Sequence, residues 1–97
     1  MTTLHIVRQS AFCTTDFAQC IQVLANNDVI VFIDDGCYNL KHHLIDDIEN
    51  SKNIQLKVIE QHARARAVVV DTSVFVNITI EGLVKLTFEN NRVITWQ

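Results

Sequence analysis

The sequence predicts a single α/β domain, residues 1–97, in which helices cover both faces of a mostly parallel sheet. Two observations predict this fold class. Short apolar stretches typical of strands alternate along the chain with stretches whose apolar residues recur every three or four positions, as in helices. The stretch from Val29 to Ile33 is apolar throughout, which favours a strand covered on both faces, as strands of parallel sheets are.

The first half of the chain predicts two strands with a helix between them. Leu4 to Val7 is the first strand and Val29 to Ile33 the second, which ends in a turn at Asp34-Asp35-Gly36. Between the strands, Thr14 or Thr15 can cap a helix, because its hydroxyl can accept a hydrogen bond from a free N–H of the first turn. The apolar stripe of this helix consists of Phe17, Cys20, Ile21 and Leu24.

A second amphipathic helix is predicted after the turn and is closed by Asn50 and Ser51. Its apolar stripe consists of Leu40, Leu44, Ile45 and Ile48. Ile54 to Ile59 then predicts a third strand.

The remaining stretch is less uniform. Ala67 to Ile80 is rich in valine and is interrupted only by Asp71-Thr72-Ser73, so propensity alone suggests two strands, although the pattern is ambiguous. Leu83 to Thr87 predicts a last helix, and Arg92 to Trp96 a last strand.

Composition and charge narrow the function classes. The net charge is −3 and the eight Lys and Arg are scattered, which disfavours direct binding of nucleic acid. No apolar run approaches the roughly 18 residues of a membrane helix, and the N-terminus lacks the pattern of a secretory signal. Three cysteines without paired CxxC spacing form neither a disulfide framework nor a zinc site, so we expect reduced thiols in the cytoplasm.

The chain is also rich in apolar residues for its size. Hydrophobic residues make up 48% of the sequence, and a small domain leaves much of its surface outside the core. Exposed apolar patches usually serve as partner surfaces. We therefore expect a subunit of an assembly rather than a self-sufficient enzyme. With no glycine-rich phosphate motif and no metal pattern, we expect no cofactor.

The reactivity of two of the three thiols can be assessed from their sequence positions alone. Cys13 lies between the first strand and the first helix, near the carboxyl edge of the sheet where α/β proteins place their sites. A helix beginning just after it would favour the thiolate. Cys37 follows Asp34 and Asp35, whose negative charges oppose thiolate formation, so we expect Cys37 to be a core residue.

The histidines suggest structural roles. His42 with Asp46, and His43 with Asp47, have the i,i+4 spacing of a helical metal pair, but solvent-exposed charge pairs of this spacing are far commoner. His5 alternates with apolar neighbours in a strand, where a hydrogen-bonded structural histidine is expected.

A basic cluster follows the third strand. It consists of His62, Arg64 and Arg66. It is either a docking point for an acidic carrier protein or a solvated turn.

Several motifs, taken in order, resemble the TusB/DsrH family of sulfur-relay subunits. The resemblance spans nearly the whole chain. It is carried by Leu4-His5, Ser10 and Phe12, Asp35-Gly36 with Tyr38 and Leu40, Ala65-Arg66, Leu83 to Thr87, and the terminal Trp96-Gln97. The sequence departs from the family at Ala11, where a proline is frequent, and at Ala67, where a glycine usually follows the Ala-Arg pair.

The resemblance implies a three-layer α/β/α domain of about five strands in a complex with two homologous subunits, of the TusC/DsrF and TusD/DsrE kinds. The implied assembly is a heterohexamer that takes persulfide sulfur from one carrier protein and passes it to another. In the TusB branch the sulfur ends in 2-thiouridine at the tRNA wobble position, and in the DsrH branch it feeds sulfur oxidation. The principal acceptor cysteine is implied to lie on the TusD/DsrE-like partner.

The resemblance also singles out Cys20, which matches a cysteine of DsrH-type members. On a helical wheel Cys20 falls at the border of the apolar stripe, where a partner can reach it. We therefore expect Cys20 to be an auxiliary persulfide site. The alternative is that Cys20 only fills the edge of the core, because free cysteine is among the most buried residue types.

Overall fold

The structure is a computed structural model and describes residues 2–48 and 52–97. Five strands in these residues form one parallel sheet in the order β4-β3-β2-β1-β5. The strands are β1 (Thr3–Val7), β2 (Val29–Phe32), β3 (Gln55–Ile59), β4 (Val76–Ile78) and β5 (Arg92–Trp96). The first strand therefore lies between the second and the last. In this register His5 pairs with Ile30 on one side and with Ile94 on the other.

Helices lie on both faces, as the sequence predicts, but unequally. The helices are α1 (Asp16–Gln22), α2 (Glu60–Ala65) and α3 (Ile80–Glu89). The larger core cluster joins α1, α2 and the segment after β2 to one face of the sheet, around Ile30 and Phe32. The smaller cluster lies under α3 alone, around Leu4 and Val31.

The predicted strands at both ends and in the middle of the chain are confirmed, as is the last helix. The strand β2 is buried along its whole length, which is why its sequence is apolar at every position. The first helix is shorter than its stripe suggested and ends at Gln22, before Leu24. Thr15 occupies the N-cap position, but its side chain makes no capping hydrogen bond.

The predicted second amphipathic helix is wrong. Two 3-10 stretches stand in its place, Asp34–Lys41 and His43–Asp47, separated by His42 in an extended conformation. The His42 ring nitrogen Nδ1 accepts the N–H of Leu44 at 3.0 Å, a local bond that competes with continuous helix. Asn50 and Ser51, which were expected to close the helix, lie outside the described residues.

The valine-rich segment forms one strand where propensity suggested two. The side chain of Asp71 accepts hydrogen bonds from the N–H and the hydroxyl of Ser73, and this Asx-type turn holds the chain out of the sheet. No pattern in the sequence indicated α2. This helix has six residues and buries only Ala63, too little for an apolar period to appear.

Among residues 2–48 and 52–97, no helix is long and apolar enough to cross a bilayer.

Candidate functional site

The strand order identifies the edge of the sheet where a site is expected. All five described strands are parallel, so their carboxyl ends share one edge. Successive strands run outward from β1 to β4, and then β5 returns to the other side of β1. Open α/β sheets bind ligands outside the carboxyl ends at such a reversal. The loop after β1, which carries Cys13, borders this point.

The three thiols differ sharply in exposure. Cys13 is exposed, whereas Cys20 and Cys37 have no exposed surface. Persulfide exchange between proteins requires a sulfur that another protein can touch. Cys13 is therefore the thiol that a second protein can reach in this conformation.

Cys20 lies on α1 inside the larger core cluster. Burial, and then the negative charge of Asp28, raise the pKa of the Cys20 thiol to about 12. The expectation that the border of the apolar stripe leaves Cys20 within reach is thus wrong for the chain by itself. The helix α1 contacts both β1 and β5, and Cys20 is fully buried on the side of α1 that faces the core.

Cys37 is a core residue, as expected. Its Sγ lies 3.8 Å from the carbonyl oxygen of Phe32. Burial raises the pKa of the Cys37 thiol to about 11; Arg66 opposes the rise, and Asp34 and Asp35 add to it. Neither buried thiol is an activated nucleophile.

The loop that carries Cys13 is held by local hydrogen bonds. The carbonyl of Ser10 accepts the N–H groups of Cys13 and Thr14, both at 3.0 Å. The fully buried Asn39 clamps the loop from the neighbouring segment: its Oδ1 accepts the N–H of Ala11 at 2.7 Å, and its Nδ2 donates to the carbonyl of Gln9 at 2.9 Å. The thiol therefore sits on an ordered loop.

Asn39 is a positioning residue that sequence reasoning missed. The signal available was an amide between the apolar residues Tyr38 and Leu40, because a buried amide must bond to something.

Exposed aromatic side chains lie on this loop and on the segment that clamps it. Phe12, next to Cys13, is 65% exposed, and its ring meets that of His42 edge-on with centroids 4.6 Å apart. Tyr38 is exposed on the adjacent 3-10 stretch. Exposed aromatic residues beside a reachable thiol form a surface on which a protein segment can pack.

Charged residues form a second group at the same edge of the sheet. Arg8 pairs with Asp34 at 3.4 Å, and Arg66 pairs with Asp35 at 2.9 Å. The ring nitrogen Nδ1 of His62 accepts the N–H of Asp34 at 3.1 Å. Asp34 has φ of 48°, in the left-handed region, and these partners hold it there.

The predicted basic cluster is not one patch. Arg64 pairs with Glu60 one helical turn earlier, whereas His62 and Arg66 turn toward the two aspartates. These side chains are engaged within the chain, which leaves little free positive charge to dock an acidic protein.

The histidine–aspartate pairs form no metal site. Without an α-helix the i,i+4 argument fails, and His42 uses Nδ1 to accept the N–H of Leu44. In the described part of the chain, no group of three or more possible ligands lies together.

His5 is a structural histidine, as predicted. Its Nδ1 accepts the indole N–H of Trp96 at 3.1 Å, and its Nε2 lies 2.9 Å from Asp28. Because an indole can only donate, Nδ1 carries no proton, and Nε2 therefore donates to the carboxylate. Trp96 is half-buried and packs against the larger core cluster, so it contributes to the fold and not only to a partner surface.

Comparison with known proteins supplies three findings. A model of the family described as DsrH-like proteins matches residues 9–93. The crystal structure of the ychN protein from E. coli superposes with a TM-score of 0.76 at 13% identity, covering 99% of this chain and 100% of that one. At this identity the likeness bears on the fold alone. No curated protein matches the sequence.

Proposed function

Because the chain belongs to the DsrH-like family, whose model matches residues 9–93, we propose that it is one subunit of a sulfur-relay complex. The complex passes persulfide sulfur between carrier proteins. Membership of this family is the observation on which the proposal rests. Cys13 lies on a small exposed loop, and neither of the two buried thiols is an activated nucleophile. This arrangement suits an auxiliary rather than a principal role in sulfur transfer.

The partners in this proposal are homologous subunits of the TusC/DsrF and TusD/DsrE kinds, in a heterohexamer, together with sulfur-carrier proteins. The final destination is 2-thiolation of the tRNA wobble uridine. Two alternatives stand beside it: a DsrH-type role in sulfur oxidation, and a purely structural subunit whose thiols are inert. Sulfite-reductase genes beside the gene for this chain would favour the oxidation branch.

A thiol of this chain would take part by simple exchange. Its thiolate attacks the outer sulfur of a donor persulfide, the S–S bond of the donor breaks, and the donor leaves as a thiolate. The new persulfide forms on this chain, and no oxidant or reductant is consumed. The reaction needs a reachable thiolate at its start.

The two candidate thiols meet this need differently. Cys20 is the thiol that the family resemblance implies, yet with a pKa of about 12 its thiolate fraction near neutral pH is below roughly one part in ten thousand. Cys20 can act only if contact with a partner opens the packing around α1. Cys13 needs no such opening, because it is already exposed.

The test is to load the reconstituted complex with persulfide and to map modified cysteines by mass spectrometry. Wild type is compared with the single variants Cys13→Ser, Cys20→Ser and Cys37→Ser. Loss of the label in only one variant identifies the relay thiol, and transfer is expected to slow without stopping, because the main acceptor lies on a partner.

The unmodified Cys37 serves as the buried control. Sulfur on Cys20 in the complex would establish the opening that its role requires. No sulfur on any of the three would leave this chain a structural subunit. A chain that assembles with no homologous subunit and takes no sulfur would overturn the proposed function.

A further inference from the structure

The face of the sheet beneath α3 is covered by much less protein than the opposite face. Five strands at roughly 4.8 Å spacing make a sheet about 19 Å wide. A single helix is about 10 Å across, so α3 covers only the middle of its face. The opposite face carries α1, α2 and both 3-10 stretches.

Apolar side chains remain exposed on both sides of α3. Val93 of β5 is paired in register with Leu4, which lies in the core cluster under α3, so both point to that face. Val76 of β4 lies two residues before Ile78 of the same cluster, and therefore also points there. Val93 is 42% exposed and Val76 is 53% exposed.

The outer side of α3 continues this surface. Ile80, Val84 and Phe88 recur every four residues and are all exposed, whereas Leu86 of the same helix is buried against the sheet. We call the set Val76, Ile80, Val84, Phe88 and Val93 the α3 face.

The α3 face is large for a protein that acts alone. Its five members are half of the ten large apolar side chains exposed in residues 2–48 and 52–97. With about 200 Å² for a whole phenylalanine and proportionately less for valine and isoleucine, they expose roughly 500 Å². That area lies toward the top of the range of about 300–600 Å² for the largest apolar patch on a monomer.

The pattern on α3 indicates what kind of surface fits it. Side chains spaced by four residues form the ridge that packs into the groove of another helix in the commonest class of helix contacts. Exposed Glu81, Lys85 and Glu89 follow the same spacing directly beside the ridge. Their alternating sign fits a partner helix that carries an apolar ridge with basic residues opposite the two glutamates.

We infer that the α3 face is the surface on which a homologous subunit of the relay complex packs, with a helix of that subunit lying against α3. The inference rests on the proposed function, which supplies the partner. It assigns the carboxyl edge with Cys13 to the carrier proteins and the α3 face to permanent assembly.

The test uses the full chain co-expressed with its DsrE-like and DsrF-like subunits. Val84→Lys and Phe88→Lys place a charge on the ridge. Val23→Lys is the matched control, because Val23 is 55% exposed against 51% for Val84 and lies at the end of α1, which packs on the other face. Circular dichroism and thermal melting verify that each variant is folded.

We expect wild type and Val23→Lys to co-purify with the subunits as one complex. Val84→Lys and Phe88→Lys should bind at least ten times more weakly in sedimentation experiments while remaining folded. Assembly of both ridge variants at wild-type affinity, or equal loss in Val23→Lys, would overturn the inference and leave the proposed function standing. Failure of the wild type itself to assemble would overturn the partner claim of the proposed function, and this inference with it.

Discussion

Asp28 is the buried carboxylate around which the start of β1 and the start of β2 meet. It accepts the N–H groups of Thr3 and Ala25, both at 3.0 Å, and faces His5 at 2.9 Å. Burial alone raises the pKa of Asp28, but the bonds from Ala25, His5 and Thr3 together outweigh it and lower the pKa. The ionised form is therefore the native one.

We expect Asp28→Asn to lower the free energy of unfolding by about 3 kcal/mol at neutral pH, because the amide cannot accept all the hydrogen bonds that the carboxylate accepts from Thr3, Ala25 and His5. The lowered pKa means that the stabilisation is present above the unfolded-state pKa of about 4 and is lost as pH falls through the folded value. Urea unfolding, followed by circular dichroism from pH 7 to pH 3, should show the difference in unfolding free energy between the two proteins narrowing once the pH falls below about 4. Asp71→Asn is the control, as Asp71 bonds only within its own exposed turn. A difference in unfolding free energy between wild type and Asp28→Asn that does not change with pH would contradict this account.

Ala67 is a residue in a conformation that favours glycine. Its φ is 55°, and it follows α2 at the position where a helix commonly ends in the left-handed region. The N–H of Val68 bonds to the carbonyl of Ala63, and that of Ala67 to the carbonyl of Arg64, which is the Schellman pattern.

Ala67→Gly is expected to stabilise the chain by about 0.5–1 kcal/mol, because the relief of left-handed strain exceeds the extra entropy of glycine in the unfolded state. Ala65→Gly, at the last residue of α2, should instead destabilise by roughly 0.5–1 kcal/mol, because glycine has the lower helix propensity. Chemical denaturation of both variants decides the matter. The same sign for both changes would mean that the backbone at residue 67 is not strained.

At the scale of elements, Gly36 connects the segment after β2 to the end of β1. A Cβ at this position would lie 2.1 Å from the carbonyl oxygen of Val7, and backbone cannot move aside as a side chain can. The glycine is required by this close approach and not by its backbone angles.

We expect Gly36→Ala to cost about 2–3 kcal/mol, as overpacking against a fixed backbone does. It should also loosen the Cys13 loop, which Asn39 clamps from the same segment, and so speed alkylation of Cys13. Gly82→Ala is the same change within α3, where the nearest atom is the Ile78 Cβ at 3.3 Å and a gain in helix propensity offsets the contact. Melting temperature and thiol labelling of both variants test this; Gly36→Ala behaving like Gly82→Ala would refute it.

The elements also show where the sequence was informative. The apolar run of β2 and the apolar stripe of α3 predicted these two elements correctly. A strand buried on both faces is apolar at every position, and a helix buried on one side shows a periodic apolar stripe. The end of α2 left no trace, because Ala67 stands where glycine would have marked it. Cys20 is buried in a core cluster whose members are far apart in the sequence, and no local pattern shows that they meet.

At the scale of the whole molecule, the exposed α3 face predicts that the chain associates with itself in solution, whereas the opposite face does not. By itself, the chain exposes the α3 face to other copies of itself. We expect the purified chain to self-associate at tens of micromolar, roughly where exposed apolar surface leads to association. Val84→Lys should shift it toward monomer, and Val23→Lys should not. Sedimentation velocity of the three proteins would show this, and a monomeric wild type would count against it.

The register of β1 and β5 has a kinetic consequence. Leu4 pairs with Val93, and the carbonyl of Thr2 accepts the N–H groups of Asn91 and Arg92, so the contacts that complete the sheet join residues nearly a chain length apart. Closing so long a loop costs entropy before any contact forms, which slows folding. Until β5 docks, one edge of β1 is unpaired, and an unpaired edge of a strand as apolar as this one is a template for other chains. Refolding yield should therefore fall as protein concentration rises, even for chains whose native surface has been made polar.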